Sequence, residues 1–285
     1  MWLGLVAALV AMPRPVRGLP AQAASGPQTA ANWRRAADPN GWRVSLDFTN
    51  YNGDRLSASI PIPKADIDQA VGEFGYTKAE VEAVFKSCRN CNQAEFDRRV
   101  LEFYRRRGFQ VTPANGVLQL SIDMNELVWR NAPRMRVLAR EVERIGAERQ
   151  YDASALLGAV LAMAQTALEY FSPPLQEGGR EISGLYVPPQ VLTNGKGDCD
   201  SKTALVASVL KNFSGVRLLG IAIPNHYLLG VARIPQRGEA FVEYGGEAYV
   251  LLEPAGPGWL PPGRISTTSL DRIGTMRDVR IEPFR

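Results

Sequence analysis

Apolar and polar residues alternate over Trp42–Asn50 and again over Leu56–Pro61, with Asn52-Gly53-Asp54 between the two runs. This pattern predicts a β-hairpin. Asp66–Phe74 and Thr77–Lys86 carry the three-to-four-residue spacing of amphipathic helices, and Thr77 with Glu80 forms a capping-box pattern. Cys88-Arg89-Asn90-Cys91 interrupts that spacing, and Asn92–Arg107 resumes it with Phe96, Val100 and Phe103 on one face. Phe109–Val111 and Val117–Ile122 flank Pro113-Ala114-Asn115-Gly116 and predict a second hairpin. Asn125–Arg149 reads as helical, with Pro133 starting or kinking the run. Asp152–Phe171 is a strongly apolar stretch ending at Pro173-Pro174, the pattern of a buried core helix.

The C-terminal third changes character. Pro188–Gly197 reads as loop, and Asp198 is a good N-cap for a largely apolar helix over Cys199–Asn212, stopped by Ser214-Gly215. Val216–Ile223 and Tyr227–Ile234 are β-rich, and Phe241–Tyr244 and Ala248–Leu252 are short β-runs separated by Gly245-Gly246. A buried helix feeding a mainly antiparallel sheet gives an α+β fold.

Composition narrows the chemistry. The 285 residues include three cysteines and a single histidine, His226. One histidine excludes zinc peptidases with paired histidines, His₃ sites and facial triads. A net charge of +4 without a long single-sign run gives no case for nucleic-acid binding. Trp2–Met12 is an apolar run of 11 residues, too short to span a bilayer and of the length of a signal-peptide core, and Ala21-Gln22-Ala23 supplies a small-x-small cleavage pattern. Residues 1–23 therefore read as a signal peptide and 24–40 as a flexible leader. The protein is expected in the periplasm or secreted, with no integral membrane span in the mature chain. The remainder divides into an N-terminal α+β region, 41–124, and a C-terminal domain, 125–285.

Cys199 falls in the first turn of its helix, where the partial positive charge of the helix favours thiolate over thiol. Asp198 and Asp200 oppose that effect. His226 is the one imidazole available to Cys199, and Glu253, at the end of a strand, is placed to accept from imidazole Nδ1–H and fix its tautomer. Together they supply a nucleophile, a base and an orienting acid. The two must then share one end of the sheet, so Phe241–Tyr244 cannot be a full-length strand lying between them.

The segments GKGDCDSKTALVASVLKNFSG, NHYLLGV and YVLLEPAGPGW resemble the transglutaminase-like superfamily, in its bacterial and archaeal branch, over about residues 150–265. The resemblance implies a papain-related core and a triad of Cys199 as nucleophile, His226 as base and Glu253 as acid. It implies acyl transfer on a peptide or protein amide, by hydrolysis or transamidation, without a cofactor. The sequence departs from the commoner pattern at two points: Glu253 stands in Leu252-Glu253-Pro254 where Asp is usual, and Leu228 stands where an aromatic often follows the histidine.

Other readings compete. Gln190 could donate to an oxyanion through its side-chain amide, or be an ordinary polar loop residue. In an exported chain Cys88 and Cys91 suit a local disulfide. With Cys199 and His226 they also make up the donors of a structural Cys₃His zinc site. A catalytically inactive member of the superfamily, kept as a binding or envelope module, is the further alternative.

Overall fold

The computed structural model describes residues 32–284, apart from 89, 115–116, 257 and 276–278. The expected signal peptide lies outside the described residues.

The chain opens with a three-stranded antiparallel meander: β1 (Trp33–Asp38), β2 (Gly41–Thr49) and β3 (Arg55–Pro63). Val44, Leu46 and Phe48 of β2 and Leu56, Ala58, Ile60 and Ile62 of β3 are buried, as the alternation requires. The first strand corrects the reading of the leader from Trp33 to Asp38, while residues 24–31 lie outside the described residues. Four consecutive exposed positions hide β1 from any pattern of apolar residues. It is held instead by side chains: Trp33 Nε1 donates to Leu192 O at 2.7 Å, and Arg35 Nη1 to Thr193 O at 2.9 Å.

Helix α1 (Lys64–Glu73), the short strand β4 (Tyr76–Thr77) and α2 (Lys78–Ser87) follow, and Thr77 and Glu80 form the expected capping box. A Cys88–Cys91 disulfide links the end of α2 to the approach to α3 (Gln93–Arg106). Strands β5 (Phe109–Ala114) and β6 (Val117–Ile122) make the second hairpin. The expected long helix is divided around Pro133 into α4 (Met124–Asn131) and α5 (Arg136–Arg149). Then comes α6 (Ala153–Thr166), N-capped by Asp152. It ends earlier than its apolar run, because Glu169–Tyr170 form β7 and pair in parallel with β10, described below.

After β8 (Gln176–Glu177) and β9 (Arg180–Glu181), Pro188–Asn194 forms α7 where a loop was expected. Two prolines at the start of a helix fit its first turn, where an amide hydrogen has no intrahelical acceptor. Gly195, at φ 70° and close against the Trp33 ring, ends it, and a Cβ there would meet the ring. Strand β10 (Lys196–Gly197) leads directly into α8 (Cys199–Leu210). Every residue of α8 except Asp200 is buried, so this is the central helix of the fold.

The main sheet contains β11 (Leu218–Ile223), β12 (His226–Ala232), β13 (Phe241–Tyr244), β14 (Glu247–Leu252) and, after α9 (Thr267–Gly274), β15 (Arg280–Phe284). Its strand order is β13-β14-β12-β11-β15, antiparallel throughout. The protein is thus α+β, with the cysteine-bearing helix packed on an antiparallel sheet. Tyr227, Leu229, Val231, Val250 and Leu252 face one core cluster shared with α8, while Leu228, Tyr249 and Leu251 face a second with Ile273 of α9. The first cluster also holds Val44, Leu46 and Ile60, so one core is continuous across the stretches set apart at residue 124. Among the described residues no helix is long and apolar enough to cross a membrane.

Candidate active site

His226 follows a two-residue turn, Pro224-Asn225, between β11 and β12. Asn225 takes the left-handed conformation, φ 57°, which Asn tolerates better than most residues. Glu253 follows the last residue of β14. The register pairs Leu229 with Leu252, which, continued by one residue, sets Leu228 opposite Glu253. Strand alternation then places Glu253 on the same sheet face as His226 and one diagonal step away. β13 lies outside β14 rather than between the two strands. The requirement that the histidine and the acid share a sheet end is therefore met.

The two side chains meet: His226 Nε2 is 2.9 Å from Glu253 Oε1, with both largely buried. The nitrogen is Nε2, not the expected Nδ1, so Nδ1 is the one left over for another partner. The carboxylate is held from its other side by α9. Ser266 N–H donates to Glu253 Oε2 at 2.6 Å, and Ser269 Oγ lies 3.4 Å from Oε1. Its main chain is fixed too. Gln165, buried in α6, donates through Nε2 to Glu253 O at 2.9 Å and Leu260 O at 3.0 Å.

Cys199 opens α8. Asp198 caps the helix by accepting from Ser201 N at 2.9 Å, as its position predicts. Thr203 Oγ1 donates to Tyr227 O, tying the helix to the strand that carries His226. The Cys199 thiol is 9% exposed and is directed to Asp200 Oδ1 at 3.4 Å. Burial, then the charges of Asp200 and Asp198, push this thiol above its ordinary range, with a smaller opposing contribution from the backbone of Tyr227. The helix terminus therefore does not by itself produce a thiolate here: desolvation and two flanking carboxylates outweigh it. Asp200 is raised to about 6 by burial and by Asp198, while the thiol and His226 act in the opposite direction.

Lys202, one turn on, is 1% exposed. Its Nζ donates to Leu168 O at 2.7 Å and Ala255 O at 2.9 Å. It thus clamps the segment just after Glu253 to the helix that bears Cys199. Burial brings its ammonium down to about 7. Tyr170, half exposed on β7 beside Gly197, borders the same region, and burial, with Cys199 and Asp198 nearby, raises its phenol.

Gln190 is not positioned as an oxyanion donor. Its Oε1 accepts from Val187 N, and its Nε2 is directed to Glu177. The Cys₃His zinc set is also not assembled, because the disulfide removes Cys88 and Cys91 as thiolate donors. Asp198, Cys199 and Asp200 lie close enough to share an ion, but their contacts are accounted for by helix capping and the thiol.

No protein-family model, curated protein or solved structure matches the chain.

Proposed function

We propose that this protein is a cysteine-nucleophile acyl transferase acting on amide bonds of peptides or proteins, similar in plan to the transglutaminase-like superfamily that its motifs resemble. The observation that carries the reading is the His226–Glu253 pair next to Tyr227, whose backbone acts on the Cys199 thiol. At rest the thiol is directed to Asp200, and burial with the flanking carboxylates favours its neutral form. In the reaction the thiol turns from Asp200 and passes its proton to His226 Nδ1 as the sulfur bonds to the amide carbon and the carbonyl electron pair moves to oxygen. The N–H of Cys199 supports the oxyanion. Collapse expels the amine, which takes the proton from the imidazolium and leaves a thioester. Water or a second amine then attacks, its proton passing to His226, and the sulfur leaves to be reprotonated. The Cys88–Cys91 disulfide supports an exported protein.

A non-catalytic binding module is favoured by one specific observation, the buried thiol flanked by the carboxylates of Asp198 and Asp200. Incubation with casein and a fluorescent primary amine separates the readings. Amine incorporation identifies transamidation, and new peptide termini, or ammonia released when the amine is omitted, identify hydrolysis, each lost in Cys199→Ala. No Cys199-dependent product in any channel would overturn the enzymatic reading.

A further inference from the structure

A second candidate site lies beyond the last residue of β12. Strand β12 begins at His226 and ends at Ala232, so Arg233, directly after it, is ~23 Å from the histidine end. Arg233 lines a cavity of about 490 Å³ together with Arg237 and Arg264. That volume lies within the range of small-molecule sites.

The charge in this cavity is one-sided once existing partners are assigned. Glu239 is taken by Arg233, which grips it through both terminal nitrogens at 2.8 and 2.6 Å, and it also accepts from Gln236 N. Asp152 is taken by the N-terminus of α6, accepting from Ala155 N at 2.8 Å. The side chains of Arg237 and Arg264 have no hydrogen-bond or ion-pair partner among the described residues, and Arg233 Nε is buried without one. Ser154 and Ala155, in the first turn of α6, also line the cavity. Tyr51 supplies an aromatic wall, braced by Trp259 with ring centroids 5.3 Å apart.

We propose that this cavity binds a small polar molecule through a phosphate or carboxylate group, held by Arg237 and Arg264. Guanidinium forks match both oxyanions with paired hydrogen bonds, and a concave wall strengthens the interaction over that of an exposed arginine. The cavity shares no lining residue with the Cys199 site, although its Tyr51 hydroxyl donates to Gln165 at 2.7 Å.

The test is calorimetric titration of the intact protein with pyrophosphate and, separately, with citrate, at constant ionic strength set by sodium chloride. At least one should bind saturably, and the tighter of the two names the oxyanion class. Arg237→Gln and Arg264→Gln should each weaken that binding by about tenfold or more, the loss of a charge-assisted contact. Cys199→Ala should leave it unchanged. Arg237 is exposed, so its variant carries the test even if the Arg264 variant folds poorly. Failure of both anions to saturate, or saturation indifferent to Arg237→Gln, would overturn the proposal.

Discussion

His226 Nε2 lies 2.9 Å from Glu253 Oε1, although the residues are 27 apart in sequence and on strands of opposite direction. Ser266 N–H and Ser269 Oγ fix the acid, and Gln165 fixes its backbone. The pair is therefore set before any substrate arrives. Glu253→Gln should keep the fold and lower acyl transfer by about 10²–10⁴-fold, the range for a displaced acid–base group. Glu253→Ala additionally strands the Ser266 amide and should lower stability by ~1–3 kcal/mol. Burst kinetics with an activated ester and denaturant unfolding measure the two effects. A Glu253→Gln variant of undiminished rate contradicts the role given to the acid.

Burial, and after it the charge of Asp200, raises the Cys199 thiol above its ordinary range. Asp200→Asn removes the nearer negative charge, so the pH profile of Cys199 alkylation by iodoacetamide should move to lower pH. The same variant should alter stability. The folded carboxyl, at about 6 against 3.8 unfolded, keeps a proton that the unfolded chain has lost between those values. Wild-type stability therefore falls as pH rises through that window, and Asp200→Asn should remove this part of the fall. An alkylation profile unmoved by the substitution contradicts the assignment.

Lys202 gives the opposite slope at higher pH. Its ammonium is lowered to about 7 in the folded chain against 10.5 unfolded, so over that interval the unfolded state binds more protons. Its contribution makes stability rise with pH from about 7 to 10.5. Lys202→Met should flatten the rise, read from urea unfolding across that range. It should also loosen Ala255, and with it the segment after Glu253. Equal slopes in the two proteins would show that Lys202 is not buried as a charge.

The Cys88–Cys91 disulfide closes a very short loop, with a sequence separation of 3. The loop-entropy relation gives it only about 2 kcal/mol. Cys88→Ser/Cys91→Ser should lower the unfolding free energy by an amount of that order, leaving alkylation of Cys199 unchanged. Stoichiometric zinc, lost in the double variant, would restore the metal-site reading.

Much of this site was legible in the sequence because its chemistry is rare in the chain. A single histidine left one base to find, and Asp198 before an apolar helix marked where the cysteine would sit. Glu253 could be placed because the short strands left few ways to bring an acid to that sheet end. The supporting residues were harder to see for a physical reason: they act through main-chain carbonyls, which leave no sequence pattern. Gln165 and Lys202 nevertheless carry a signal, each being a lone long polar side chain in an otherwise apolar stretch of a buried helix. Strand β1 was hidden because its side chains are largely exposed and its anchors, Trp33 and Arg35, reach carbonyls some 160 residues away. The balance of charge at Cys199 could not be fixed either. Helix terminus and carboxylates were both visible, but the depth of burial that decides between them belongs to the tertiary structure.

The central claim, that Cys199 attacks an acyl carbon with His226 as its base, is tested most directly by intact-mass analysis after brief exposure to an activated acyl ester. The expected result is one acyl group per chain, located by peptide mapping to Cys199, cleaved by hydroxylamine, and formed far more slowly in His226→Ala. No adduct on Cys199, or an adduct formed equally fast without His226, would contradict the account.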